Sequence, residues 1–306
     1  MVQDPVVLAF DVGGTSVKAA ALDRGLTTLA ESRLPSRRGP AILDVVVAAA
    51  EELIGALDSD QRSRVTAAGV AMPGLIDRER GRCIRSVNLA VTDLDVAGPI
   101  SARLGVPVRV DHDVAAAGEA VRRTAADTED PFVVVIGTGI AAVAFVRGQA
   151  VRGVSGQAGE LGHVIVRPGG PPCGCGARGC LEAIAGAGAI VRAYEERSGT
   201  SIDGAHVVVE RRLTDPVAAE IWDDAVSALA DALIDVCALL APGAVLLAGG
   251  LSEAGEALTE PVQALMKERS CIATVPPVRL AGLGSRAGLM GAAHLALDLA
   301  DGRRSA

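Results

Sequence analysis

The chain has 306 residues, half of them hydrophobic but only 2% aromatic, and carries a formal net charge of −8. That length suffices for about two packed domains, whose cores must be built from Ala, Val, Leu and Ile. An acidic chain with one Trp and one Tyr offers neither the cationic footprint nor the stacking platform of a nucleic-acid binder.

Mean hydropathy is high, at +0.37. Yet the longest apolar stretch, Val236 to Leu251, falls short of a bilayer span and contains Pro242, Gly243, Gly249 and Gly250. The opening residues, MVQDP, lack a charged-then-apolar leader. A soluble cytoplasmic protein with reduced thiols is therefore expected, with no membrane or nucleic-acid partner.

The first predicted element is a buried strand over Val6–Phe10, bounded by Asp11 and Gly13-Gly14. Val17–Leu22 resumes after the turn as the second arm of a hairpin. Leu43–Leu57 has helical spacing. Ala67–Ala71 reads as a buried strand ending at Pro73-Gly74. Val106–Val110 reads as a short strand closed by Asp111-His112-Asp113, with a helix following through Arg123. Phe132–Ile136 and Ile140–Val146 then repeat the opening plan: strand, Gly-Thr turn, strand, here around Gly137-Thr138-Gly139. The recurrence predicts an internal duplication that sets two Gly-Thr turns across a cleft. Pro216–Leu240 reads as a long helix and Ala244–Ala248 as a strand leading to Gly249-Gly250. A helix over Glu253–Glu268 despite Pro261, and a closing apolar helix over Ala287–Leu299, complete the chain.

The segment Gly156–Glu182, GQAGELGHVIVRPGGPPCGCGARGCLE, concentrates one histidine and three of the six cysteines. His163, Cys173, Cys175 and Cys180 supply the number and type of ligands that a closed tetrahedral Zn²⁺ site takes. Three packed thiols or a disulfide are the alternatives. The interleaved glycines favour the metal, because they let a short chain curl onto one centre. Glu160 and Glu182 bracket the cluster and stay available to grip hydroxyls. Cys83, Cys237 and Cys271 stand in apolar surroundings and read as core thiols.

D-x-G-G-T-x-x-K spans Asp11 to Lys18. Gly13 and Gly14 let backbone N–H groups approach phosphate oxygens, and Thr15 offers a hydroxyl. A carboxylate beside phosphate is best used to hold Mg²⁺ through water, which assigns Asp11 that role. Lys18 either faces the phosphates or is solvated. Gly137-Thr138-Gly139 would supply a second phosphate turn, and Gly249-Gly250 a close backbone approach to a nucleotide. Three such Gly turns at strand ends, with an Asp on the first, point to ATP, although none is a Walker A loop.

Asp11–Lys18, the Asp113 element, Glu160-x-Gly162-His163 and CGCGARGCLE together resemble the ROK family of repressors, uncharacterised reading frames and sugar kinases. Within it, the chain is most similar to the bacterial ROK glucokinases. The resemblance implies an α/β, actin-like ATPase (ribonuclease H-like) fold of two domains around a cleft, closing on sugar and ATP. It also implies structural zinc and a homodimer, with a tetramer as the variant. The domains expected are 1–114 plus 287–306, and 115–286 with the zinc loop.

By position, the resemblance makes Asp113 the catalytic base. It makes Asn88, Glu160, His163 and Glu182 sugar contacts, with His163 serving both metal and sugar. Helix N-capping is the plain alternative for Asp113. His112 stands where the family commonly has Asn, Ala115 where it has a second Asn, and Gly-Thr-Gly-Ile-Ala-Ala where it usually continues with glycines. A histidine there can still hydrogen-bond a hydroxyl, so His112 joins the substrate-binding set and leaves the hexose open. Glucose is expected first, phosphorylated at the 6-hydroxyl. N-acetylmannosamine, N-acetylglucosamine, fructose or allose, or a non-catalytic sugar sensor, are the alternatives. Zinc is expected to brace the loop carrying Glu182, so that its loss loosens sugar binding and leaves the phosphate turns untouched.

Overall fold

A computed structural model describes residues 4–125, 127–154 and 157–303; Gly156, first in the cysteine-bearing segment, lies outside them. The chain forms two compact units, one running to Ala120 and resuming at Arg286, the other Val121–Ser285. The division thus falls inside the helix Asp113–Thr124, where the sequence reading had placed it at that helix's start.

In the first unit, β1 (Val6–Val12) and β2 (Ser16–Leu22) form the expected hairpin, antiparallel with Asp11 opposite Lys18. β3 (Thr28–Pro35) extends it, and β4 (Val65–Met72) and β8 (Val108–His112) add on the other side in parallel. The sheet order is β3-β2-β1-β4-β8. A separate meander of β5 (Leu75–Asp77), β6 (Arg82–Ser86) and β7 (Val91–Asp95) lies between β4 and β8 in the chain. The central strands read as continuous apolar runs because helices cover them. Val45, Val46, Ala49 and Leu53 of the helix Ile42–Ala56 share one core with Leu8, Phe10 and Val70.

The second unit repeats the plan. β9 (Phe132–Ile136) and β10 (Ile140–Val146) form a hairpin that β11 (Gln149–Ala150) extends. β12 (Val245–Ala248) and β13 (Val278–Leu280) pair in parallel on the far side of β9. The order β11-β10-β9-β12-β13 matches the first sheet strand for strand, including which pairs are antiparallel. The duplication visible as two Gly-Thr turns is therefore a duplication of the whole five-strand unit. A second core gathers Val134 and Leu247 with Trp222, Leu229 and Leu233 of the helix Pro216–Leu240, and Trp222 Nε1 donates to the Ala257 carbonyl at 3.2 Å. Cys83 and Cys237 are buried as expected. Cys271 is exposed instead: it sits beyond the end of the helix Glu256–Arg269 beside Ile272, itself 98% exposed. Among the described residues no helix is long and apolar enough to cross a membrane.

Candidate functional site

In the first unit the chemistry collects at the ends of β1 and β8. The turn after β1 is closed by the Gly13 N–H on the Ser16 carbonyl at 2.9 Å and braced by the Ser36 hydroxyl on the Gly13 carbonyl at 2.6 Å. Gly14 and Thr15 are exposed at its tip, and a side chain on Gly14 would meet Cβ of Asn88 at 3.9 Å. Lys18 Nζ stands 4.0 Å from Asp11 Oδ2. Burial pushes the Asp11 carboxyl up to about 6; Lys18 opposes this and the nearby Asp113 adds to it. Asp11 and Asp113 thus share one electrostatic neighbourhood.

Asp113 opens its helix directly after β8. Its Oδ1 accepts the Val114 N–H at 2.8 Å and lies 3.3 Å from His112 Nδ1. One oxygen is thereby fixed by two neighbours, which orients the carboxylate. Asp111, only 2% exposed, accepts the His112 N–H through Oδ1 at 2.8 Å and pairs through Oδ2 with Arg78 Nε at 3.0 Å. The sequence reading missed this support. Its one signal is a charged residue closing an apolar strand, a position that reads equally as the strand's polar stop.

In the second unit, Gly137-Thr138-Gly139 joins β9 to β10, with Thr138 exposed. Its Gly137 carbonyl accepts the Ala187 N–H at 2.9 Å. Gly249, at φ +87°, follows β12, and a Cβ there would stand 2.4 Å from the Ile136 carbonyl oxygen. The Gly249-Gly250 turn therefore runs against the last residue of β9, beside the second Gly-Thr turn.

The cluster residues converge. The ligand atoms of His163, Cys173, Cys175 and Cys180 all lie within 4.8 Å of one another. Cys175 and Cys180 sulfurs are 3.7 Å apart, and Cys173 Sγ is 3.7 Å from His163 Nδ1. The loop reaches this shape through bridges of Ile165 with Cys180 and Pro172 with Arg178, and a turn closed by the Cys173 N–H on the Ala177 carbonyl. Burial pushes the Cys180 thiol up to about 12, whereas the Ala177 N–H beside Cys175 lowers that thiol. With its Nδ1 toward the cluster, His163 turns Nε2 toward Glu160 Oε2, 3.9 Å away. Arg167 anchors the loop to the helix Pro216–Leu240, donating to Asp231 at 2.9 Å, and Arg269 donates to the same carboxylate at 2.6 Å.

Glu182 makes a contact that no sequence motif announces. Its Oε2 accepts the Ile140 N–H at 3.0 Å, and a Cβ on Gly139 would stand 2.2 Å from that oxygen. The residue expected to grip sugar is thus also bonded to the first residue beyond the second Gly-Thr turn, which joins loop and turn in one structure.

The ROK family profile matches residues 7–299. The chain belongs to the ROK family. The glucokinase of Streptomyces coelicolor is 29% identical, over 96% of this chain and 98% of its own length. The N-acetylmannosamine kinase of Citrobacter koseri is also 29% identical, over 94% of this chain and 98% of its own. Among solved structures, the ROK glucokinase of Streptomyces griseus in complex with glucose and AMPPNP is 28% identical, with a TM-score of 0.83 over 96% of this chain and 99% of that one. The matched five-strand sheets are those of the actin-like ATPase fold of two domains to which the ROK family belongs.

Proposed function

We propose that this ROK protein is an ATP-dependent hexose kinase that phosphorylates a 6-hydroxyl, with glucose as the first substrate. The reading rests above all on likeness along nearly the whole chain to a glucokinase solved with glucose and an ATP analogue. Asp113 acts as general base: it takes the proton of the sugar hydroxyl as that oxygen bonds to the γ-phosphorus, while the bond to the bridging oxygen breaks and ADP leaves. The contacts of its Oδ1 with Val114 and His112 orient the carboxylate for this step. Asn88, His112, Glu160, His163 and Glu182 bind the hydroxyls. Gly13, Gly14, Thr15, Lys18, Gly137, Thr138, Gly139, Gly249 and Gly250 receive the nucleotide.

Asp11 would hold Mg²⁺, which neutralises phosphate charge when bound. The cluster fits Zn²⁺: Zn–S bonds of about 2.3 Å at a tetrahedral centre set two sulfurs about 3.8 Å apart, close to the 3.7 Å between Cys175 and Cys180. With His163 bound through Nδ1, its proton sits on Nε2 and can donate to a hydroxyl or to Glu160. One zinc per chain by elemental analysis is expected. We place the protein in the cytoplasm, where its thiolates stay reduced, and as a homodimer, to be checked by light scattering.

A second reading, an N-acetylhexosamine such as N-acetylmannosamine, is favoured by the equal identity to that kinase and by His112 in place of the usual Asn. An ADP-release assay over glucose, mannose, fructose, allose, N-acetylmannosamine and N-acetylglucosamine decides between them. Glucose is expected to give the highest kcat/KM. Preference for an acetamido sugar would transfer the assignment to the second reading, and ADP release with none of the six would overturn both.

A further inference from the structure

We propose that Glu182 couples occupancy of the Cys/His cluster to the nucleotide-binding state of the Gly137–Gly139 turn, so that metal binding raises affinity for nucleotide even without sugar. The inference rests on the kinase reading for its assignment of that turn to ATP. Its geometry stands independently.

Cys180, fully buried, and Glu182 are two residues apart. Between them, Leu181 is fully buried and its N–H donates to the Val164 carbonyl at 2.9 Å, next to the ligand His163. A ligand bond to Cys180 therefore fixes the start of the short helix Glu182–Ala185, and with it the Glu182 carboxylate. That carboxylate holds the Ile140 N–H at 3.0 Å, the first residue beyond the turn. Two further bonds tie the same loop to the same hairpin: the Ala187 N–H to the Gly137 carbonyl at 2.9 Å, and the Ala142 N–H to the Gly159 carbonyl at 2.7 Å. Those two are main-chain bonds that hold with or without an ion, so Glu182 is the contact through which an ion at Cys180 acts on the turn. Without a bound ion, three thiols and an imidazole have only weak mutual attraction, and the loop's own fixation falls to backbone bonds. The Ile140 amide then spends longer open. A hydrogen bond to a charged acceptor is worth roughly a tenfold change in an equilibrium, which sets the expected scale.

The test uses the full chain and two readouts: ADP–Mg²⁺ affinity by calorimetry without sugar, and hydrogen exchange at Ile140. Removing zinc with dipicolinate is expected to weaken ADP about tenfold and to speed Ile140 exchange, and restoring zinc to reverse both. Glu182→Ala is expected to keep the metal yet show both changes, with chelation adding nothing further. Unchanged exchange along Val245–Ala248 serves as the check that the second unit stays folded. Cys175→Ser, at an exposed ligand, gives the milder route to metal loss. Zinc released with ADP affinity and Ile140 exchange unchanged would overturn the coupling. So would a Glu182→Ala protein normal in both, or one still sensitive to chelation. A protein that binds no ADP at all would sink the kinase reading, and Ile140 exchange would still decide the coupling.

Discussion

A buried carboxylate at Asp11 gives the first unit a pH signature. Burial raises its pKa from 3.8 to about 6, so the folded state holds a proton there that the unfolded chain has already released. The stabilising contribution is complete below about 3.8 and is lost as pH rises through about 6. Asp11→Asn removes the charge and escapes that loss. Urea denaturation at pH 3.5 should find little change from this source, whereas at pH 7.5 the variant should gain up to about 3 kcal/mol over the parent. Equal gain at both pH values would mean that desolvation is not the cause. Asp111, only 2% exposed, is held instead by an ion pair with Arg78. Asp111→Ala removes the buried carboxylate that meets Arg78 at 3.0 Å and should cost about 3–5 kcal/mol of stability, read as a lowered urea midpoint for the first unit.

Most elements were legible because their local signals agreed with their tertiary setting. Phe132–Ile136, Ile140–Val146 and Pro216–Leu240 fall on the expected residues, since uninterrupted apolar runs between Gly turns suit central strands and a 25-residue amphipathic stretch suits one helix. β3 was not legible. TLAESRLP alternates half-buried and exposed positions at a sheet edge, and its Ser, Glu and Arg read as loop. The helix Ala205–Arg211 was hidden by VVV, a run that favours strands. The candidate site was legible as a set of residue types, because Gly turns, cysteine spacing and carboxylates are chemically distinctive. The bonds of Glu182 with Ile140 and of Asp111 with Arg78 were not, since they join residues 42 and 33 positions apart with no motif between them. Gly249 sits where the chain leaving β12 packs against the end of β9. At φ +87° and with its missing Cβ 2.4 Å from the Ile136 oxygen, Gly249→Ala must shift β12 away from β9. A loss of about 2 kcal/mol or more in stability, with weaker ADP binding, is expected; calorimetry reads both.

At the scale of the whole molecule, duplication explains why two halves of dissimilar sequence carry equivalent turns. Each sheet ends its first strand at a Gly-Thr turn and pairs that strand in parallel with a neighbour, β4 or β12. In the first unit the outer parallel strand, β8, leads directly into Asp113, the proposed base; in the second, β12 leads into Gly249-Gly250. The Cys/His cluster is an insertion between β11 and β12 that has no counterpart between β3 and β4 of the first sheet, and its loop carries Glu160, His163 and Glu182. The central claim is that Asp113 removes the hydroxyl proton. It is tested most directly by Asp113→Asn, measured for steady-state phosphorylation of the preferred hexose and, separately, for binding of sugar and ADP. The expected result is a fall in kcat of about 10²–10⁴-fold with both ligands still bound within a few-fold of the parent. Turnover within a few-fold of normal would contradict the account.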